Sequence, residues 1–300
     1  MERGVSSRCV EGCALPRRSP PPGPPPPGGL INRRPGAGAG RILALIPFVL
    51  VLGAYLVGSA ARLAENPNDK LLPSLASLGA ALQRMAFSID PRTGDILMLV
   101  DTEASLYRLF AALAISVAIG LILGIAIGLL PYMRAGLGAF VAVVSMVPPL
   151  ALLPILFITM GLGEASKIAL IVIGVAPVLI RDVALRVGDL PPQQMIKAQT
   201  LGASTWQIVL RMVLPQTLPR LIDSLRLQIG PAWLFLIAAE AIASESGLGY
   251  RIFLVRRYLA MDVILTYVAW ITLLAFLMDR GLALLQRRAF PWFAAARATG

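Results

Sequence analysis

The chain has 300 residues, 57% of them hydrophobic and only 14% charged, with 27 Lys and Arg against 16 Asp and Glu and no histidine. A soluble domain carries about a quarter charged residues, so the composition excludes an ordinary water-soluble enzyme, and the missing imidazole removes the commonest general base and metal ligand. The formal charge of +11 does not point to nucleic acid, because the basic residues sit between hydrophobic blocks and not along one stripe with aromatics.

Residues 1–40 read as a disordered tail: Pro20–Pro27 is nearly all proline and Gly-rich sequence follows to Gly40, a composition that cannot bury apolar surface. Cys9 and Cys13 in this tail form a lone CxxxC pair. Two thiols do not complete a tetrahedral zinc site, so an incidental role is expected. A bilayer-crossing helix needs about 20 predominantly apolar residues. Ile42–Ala61 is the first such stretch, and its length reads as an uncleaved span and not a secretory signal.

Residues 41–104 then comprise this first span and a periplasmic segment. Leu71, Leu75, Leu78, Leu82 and Met85 recur at helical spacing, giving an amphipathic helix over Leu71–Phe87 whose apolar face lies on the bundle or on the membrane surface. Asp90–Asp101 carries turn signals followed by a short strand-like run.

The remaining spans fall within residues 105–290. Leu109–Met133 places Gly120, Gly124 and Gly128 on one face, where small residues let two helices approach closely in lipid. Ala135–Gly163 is interrupted by Pro148, Pro149 and Pro154. Proline kinks a helix and frees carbonyls that neighbours or cavity water must satisfy, so Met146, Pro148 and Pro149 are candidates for a translocation pathway; a purely structural kink fits equally. Ile168–Ile180 is followed by Arg181–Asp182, read as an interfacial ion pair. Leu227–Ser244 contains Trp233 and Glu240, and Val263–Met278 is the sixth span. An ionisable group within a span is a functional hypothesis by default, so Glu240 and the Trp233 wall join the pathway candidates. The alternative is an acid near the outer interface that caps or pairs locally.

Charge sets the orientation. With the N-terminus inside, the tail carries seven Lys and Arg, the Arg134 loop one, Arg181–Arg226 six and the C-terminal end four, leaving nine outside. The positive-inside rule therefore puts both termini and Arg181–Arg226 in the cytoplasm.

Gly188–Leu221 is expected to be ordered. Pro191 and Pro192 suit the first turn of a helix, which runs through Met195, Ala198 and Leu201 to a stop at Gly202. Ser204-Thr205-Trp206-Gln207 fits a capping box opening a second short helix, which Pro215 and Pro219 end before the fifth span. Leu201, Ala203 and Trp206 are apolar residues suited to docking a partner or packing beneath the bundle.

The run KAQTLGASTWQIVLRMVLP resembles the cytoplasmic signature of ABC importer permeases: Glu-Ala-Ala, three residues, Gly, nine residues, Ile, one residue, Leu-Pro. Gly202, Leu214 and Pro215 fall at the required spacing and Ala198 on the third motif position, while Ile196, Lys197 and Met212 depart from the pattern. The lost glutamate removes a specific salt bridge to an ATPase but leaves the helix–Gly–helix shape. The resemblance covers roughly Leu106 to Leu285 and is similar to the nitrate/sulfonate/taurine branch. The phrases DPRTGDILMLVDTEASLYRL and FLVRRYLAMDVILTYVAWITLLAF further resemble permeases of urea-carboxylase-type gene clusters, linked to guanidine-like nitrogen compounds.

The resemblance implies an all-α integral membrane protein of about six spans with a cytoplasmic coupling helix, the type I ABC importer permease fold. It implies an inner-membrane location, a second permease copy, ABC ATPase subunits docked on Ala198, Leu201, Gly202, Ala203, Trp206, Leu214 and Pro215, and a periplasmic solute-binding protein. ATP and Mg would be bound by the ATPase, since this chain has no GxxxxGK[ST] loop and GLGEASK at Gly161–Lys167 lacks the second glycine. No cofactor is expected in the chain itself and no catalytic residues. A secondary transporter is the main rival, but no internal inverted repeat is evident, and a membrane enzyme lacks a metal or nucleophile cluster. For the solute, Glu240 in a cavity would repel an anion and could accept paired hydrogen bonds from a guanidinium. That favours a guanidine- or urea-like compound, with nitrate, a sulfonate or taurine as the alternative.

Overall fold

A computed structural model of the chain describes residues 36–66, 69–89 and 94–293. The tail to residue 35, with Cys9 and Cys13, and the turn signals at residues 90–93 lie outside the described residues. Every regular element among the described residues is helical. Five of their helices are long and apolar enough to cross a membrane, or six spans if one bent pair counts as a crossing.

The chain divides into two units, residues 1–54 and 55–300. Helix α1 (Ala37–Glu65) contains the first expected span. In the first unit it exposes Ile42, Leu45, Phe48, Val49 and Leu50, an apolar surface that belongs in hydrocarbon.

In the second unit the end of α1 is tied to the turn that follows. Tyr55 Oη donates to the Pro73 carbonyl at 2.6 Å and Ser59 Oγ to that of Leu72 at 3.0 Å. Helix α2 (Leu75–Phe87) opens on Ser74, whose side chain accepts from the Ser77 N–H. This cap after Pro73 starts the helix four residues later than the leucine spacing suggests. Its Ala81 is buried and Met85 packs against the core, so the bundle takes up part of its apolar face, while Leu75 and Leu82 stay exposed.

Helix α3 (Leu97–Leu129) begins well before the expected span, and the strand-like run is its first turn. The charged and polar positions that suggested an aqueous flank, Asp101, Thr102, Ser105 and Arg108, are buried. A helix satisfies its own backbone bonds and can continue through such a region, provided its polar side chains find partners.

The strongest joint is between α3 and α6 (Glu164–Gly188). Gly120, Gly124 and Gly128 face Leu179, Val183 and Val187 of α6; a Cβ added at Gly124 or Gly128 would lie 2.6 Å from the valine Cβ atoms. Missing side chains on α3 thus let branched side chains on α6 seat against backbone. Around this joint Leu109, Ala112, Ile171, Val175, Leu236 and Tyr267 form the main core.

The third expected span is not one kinked helix. Helix α4 (Pro131–Val144) ends at Ser145, and after a short 3-10 turn at Pro149–Leu152, α5 (Leu153–Met160) follows. The two arms bend by 83°, because Pro148, Pro149 and Pro154 together remove too many donors for one straight ladder. Helix α6 runs past the expected end at Ile180 and includes Arg181 and Asp182. These do not pair: Asp182 meets Arg186 at 3.4 Å and accepts from Ser224, as expected for neighbours that diverge around a helix.

Helix α7 (Pro192–Thr200) and α8 (Thr205–Ile208) precede α9 (Leu214–Ala243), α10 (Leu248–Arg256) and α11 (Met261–Ala289). Arg226 joins α9 to α11 through Asp279, with bonds of 2.7 and 3.0 Å.

Candidate functional site

The segment between α6 and α9 is a helical hairpin built by local sequence. Pro192 occupies the first turn of α7. At its end the Gly202 N–H bonds the Gln199 carbonyl at 2.9 Å and the Ala203 N–H the Ala198 carbonyl at 3.0 Å. This is a Schellman stop, which needs a left-handed residue at its centre; Gly202 supplies it at φ +80°. Two residues on, the Ser204 hydroxyl accepts from the Gln207 N–H at 3.3 Å and the Gln207 side chain accepts from the Ser204 N–H at 2.9 Å. The capping box is complete.

The second short helix does not end at Pro215. A π turn, Val209–Val213, carries α8 into α9 without a gap. The wider turn places Pro215 in the first turn of α9, where a missing N–H costs least. Pro219 is accommodated inside α9, and its carbonyl accepts from Gln286 of α11 at 2.6 Å.

Burial splits the expected coupling residues into two groups. Ala198, Ala203 and Leu214, with Met195, rest against the core, and Pro215 is half-buried beside them. Leu201 and Trp206 are 87% and 68% exposed, and Ile196 joins them on the surface. The hairpin is anchored by one side and presents apolar side chains on the other.

The pathway candidates also separate. Met146 and Pro148 are exposed at the bend between α4 and α5, with Pro149 half-buried. Trp233 is buried in the core, and Glu240 is 0% exposed. Neither presents surface to a solute in this conformation, which overturns the picture of Glu240 as an acid on a cavity wall. The Glu240 carboxylate accepts from Ser105 at 2.8 Å, Arg108 at 2.7 Å and the Gly249 N–H at 2.9 Å. The loop after α9 wraps it: Gly247 has φ +128°, and a Cβ there would lie 2.6 Å from the carboxylate carbon. The SGLG run a few residues beyond the acid was the available signal.

Glu240 belongs to a larger polar cluster that sequence reading did not assemble. Arg108 also donates to the Ser246 carbonyl at 2.9 Å and to Glu164, and Glu164 meets Lys167 at 3.0 Å. Asp101, fully buried, accepts from the Gly247 N–H at 3.0 Å, Arg251 at 2.8 Å and Tyr267 at 3.1 Å. Burial opposes the Arg251 charge, but the hydrogen bond and field of Asp101 outweigh it and raise the pKa of that guanidinium. The cluster locks α3, α6, α9, α10 and α11 together at the end where α6 begins. Among the described residues no group of three or more Cys, Asp or Glu side chains is placed to hold a metal ion.

Residues 96–291 match the family model described as the binding-protein-dependent transport system inner membrane component. The taurine transport system permease protein TauC of Escherichia coli K12 is 42% identical over 190 residues, covering 63% of this chain and 69% of that protein. The bicarbonate transport system permease protein CmpB of a Synechocystis strain is 30% identical over 217 residues, covering 67% and 77%. Among solved structures, a bacterial alginate ABC transporter in complex with an alginate pentasaccharide-bound periplasmic protein aligns at a TM-score of 0.56 and 15% identity, over 83% of this chain and 98% of that one. The all-helical fold is that of the type I importer permeases.

Proposed function

The chain belongs to the family of binding-protein-dependent transport system inner membrane components, the permease subunits of ATP-driven importers, and we propose that it pairs with a second copy to form the pathway and docks ATPase subunits on the α7–α8 hairpin. The observation that carries this reading is the anchored hairpin with Leu201 and Trp206 exposed. Apolar residues held at the end of a bundle favour a partner groove. The π turn makes α8 continuous with α9, so displacement of the hairpin by a closing ATPase dimer would be delivered to a membrane helix without a flexible joint. ATP and Mg would be held by that partner, and a periplasmic binding protein would deliver the solute at the opposite end. The charge distribution supports an inner-membrane orientation with both termini and Gly188–Leu221 in the cytoplasm. Copurification tests the docking: Leu201→Ser with Trp206→Ser should lose the ATPase subunit while keeping the thermal stability of the permease. Retained ATPase would refute it.

For the solute, the 42% identity to a taurine permease supports a small sulfonate. A guanidine- or urea-like compound remains the second reading, on the resemblance of Asp90–Leu109 and Phe253–Phe276 alone. Its physical support was a free Glu240 carboxylate, and that carboxylate is saturated by Ser105, Arg108 and Gly249. Calorimetry of the cognate binding protein with taurine, nitrate, guanidine and urea separates the two.

A further inference from the structure

We propose that Arg181 is the anion-recognition residue of the pathway, acting in the cavity between α4 and α6 on the sulfonate or other oxyanion group of the passing solute. This rests on the sulfonate reading above.

Arg181 lies seven residues before the end of α6, about 10 Å inside it at the helical rise. A cation within a membrane-spanning helix is expensive unless it is paired or faces a water-filled path. Several charges of the neighbouring helices have an oppositely charged partner: Arg108 with Glu240 and Glu164, Lys167 with Glu164, Asp182 with Arg186, Arg226 with Asp279. Arg181 is exposed and meets a hydroxyl instead, its Nη1 donating to Ser145 Oγ at 2.9 Å. A guanidinium has five donors in a planar fork suited to oxyanions, and this one has four left over.

A cavity of about 350 Å³ adjoins it, walled by Ile127, Val141, Ile180 and Ala184 and carrying Arg134, Arg181 and Asp189. That volume exceeds what a small organosulfonate needs. Arg134 is committed elsewhere: it donates to the carbonyls of Ile127 at 3.3 Å and Gly128 at 2.6 Å, closing the end of α3. Arg181, with a single hydroxyl partner, therefore keeps more of its donors free for a ligand than Arg134 does.

The direction of the side chain also argues against a cation reaching for the membrane surface. A Cβ on Gly188 would lie 3.5 Å from the Arg134 guanidinium, whereas Arg181 pairs with Ser145. These contacts set α4 antiparallel to α6, so Arg181 reaches toward the far end of α4 and away from the end of its own helix. Ser145 immediately precedes Met146 and the Pro148–Pro149 bend, and Arg181 thereby stands beside the broken helix already marked as a pathway candidate.

The test uses the full transporter, with its ATPase and binding protein, in vesicles of phosphatidylcholine with and without phosphatidylglycerol, and taurine as the probe. Arg181→Gln should lower ATP-driven taurine uptake at least about tenfold in both lipids, with Arg181→Lys intermediate because it keeps charge but not the fork. ATPase stimulation by the taurine-loaded binding protein should stay within about twofold, since the hairpin is untouched. Parental uptake by an assembled Arg181→Gln complex overturns the proposal. If that variant fails to assemble, Arg181→Lys decides: uptake within about twofold of parental overturns the proposal, and a larger loss supports it. Loss by Arg181→Gln of a phosphatidylglycerol dependence alone would assign the site to a lipid headgroup and overturn it too. A parental complex that imports guanidinium and not taurine refutes the sulfonate reading itself, and the proposal with it.

Discussion

Gly202 offers the sharpest perturbation of the coupling hairpin, because its cost is purely conformational. It sits at φ +80°, and a Cβ there meets no atom within 4 Å. Substitution therefore creates no clash, and the penalty is that of placing an L side chain in the left-handed region, about 1–2 kcal/mol for alanine. That corresponds to about a 5–30-fold fall in the ratio of native to non-native hairpin geometry. Asparagine tolerates this region better, and a β-branched side chain tolerates it worse. The expected order of ATPase copurification and uptake is therefore Gly202, then Gly202→Asn, Gly202→Ala and Gly202→Val. Membrane insertion and thermal stability of the permease alone should stay near parental, since the hairpin's anchoring residues Ala198 and Ala203 are unchanged. Uptake at the parental rate by Gly202→Val would show that the hairpin geometry is irrelevant to coupling.

Further outcomes follow from the packing. Gly124→Ala should destabilise the detergent-solubilised permease by about 1–3 kcal/mol, the usual range for overpacking, because its Cβ would sit 2.6 Å from Val183 and 3.0 Å from the Ile180 carbonyl; Gly53→Ala, with nothing within 4 Å, should leave the melting temperature unchanged. Glu240→Ala strips Arg108 of a buried partner and should cost about 3–5 kcal/mol, seen as a collapse of the thermal midpoint; a midpoint unmoved by this change would contradict the structural role of the cluster. Single cysteines at Asp95 and Ser204, both exposed, in a background lacking Cys9 and Cys13, should label from outside intact cells at Asp95 only.

How much of this was legible in the sequence depends on the range of the interactions. The helix–Gly–helix shape of the hairpin was readable because a proline start, a glycine stop and a capping box act within four residues. The close approach at Gly120, Gly124 and Gly128 was readable as a face, although its partners Leu179, Val183 and Val187 lie far along the chain. What escaped was set by distant pairing. Asp101 and Arg108 looked like the aqueous flank of a span, because Arg251, Tyr267 and Glu240 approach them only in the folded bundle. Glu240 looked available for the same reason. Pro215 and Pro219 looked like stops, since a π turn that absorbs a proline leaves little mark in composition. The three prolines of the third span did announce a break, but not that its arms bend by 83°.

As the permease subunit proposed above, this chain moves solute only as part of an ATP-driven assembly. The direct measurement is uptake of radiolabelled taurine into proteoliposomes holding the permease and its ATPase, with the binding protein outside and ATP inside. Uptake should require ATP, both partner proteins and an intact hairpin, and should disappear with Gly202→Val. Uptake by the permease alone, driven by an ion gradient without ATP, would contradict it and make the chain a secondary carrier.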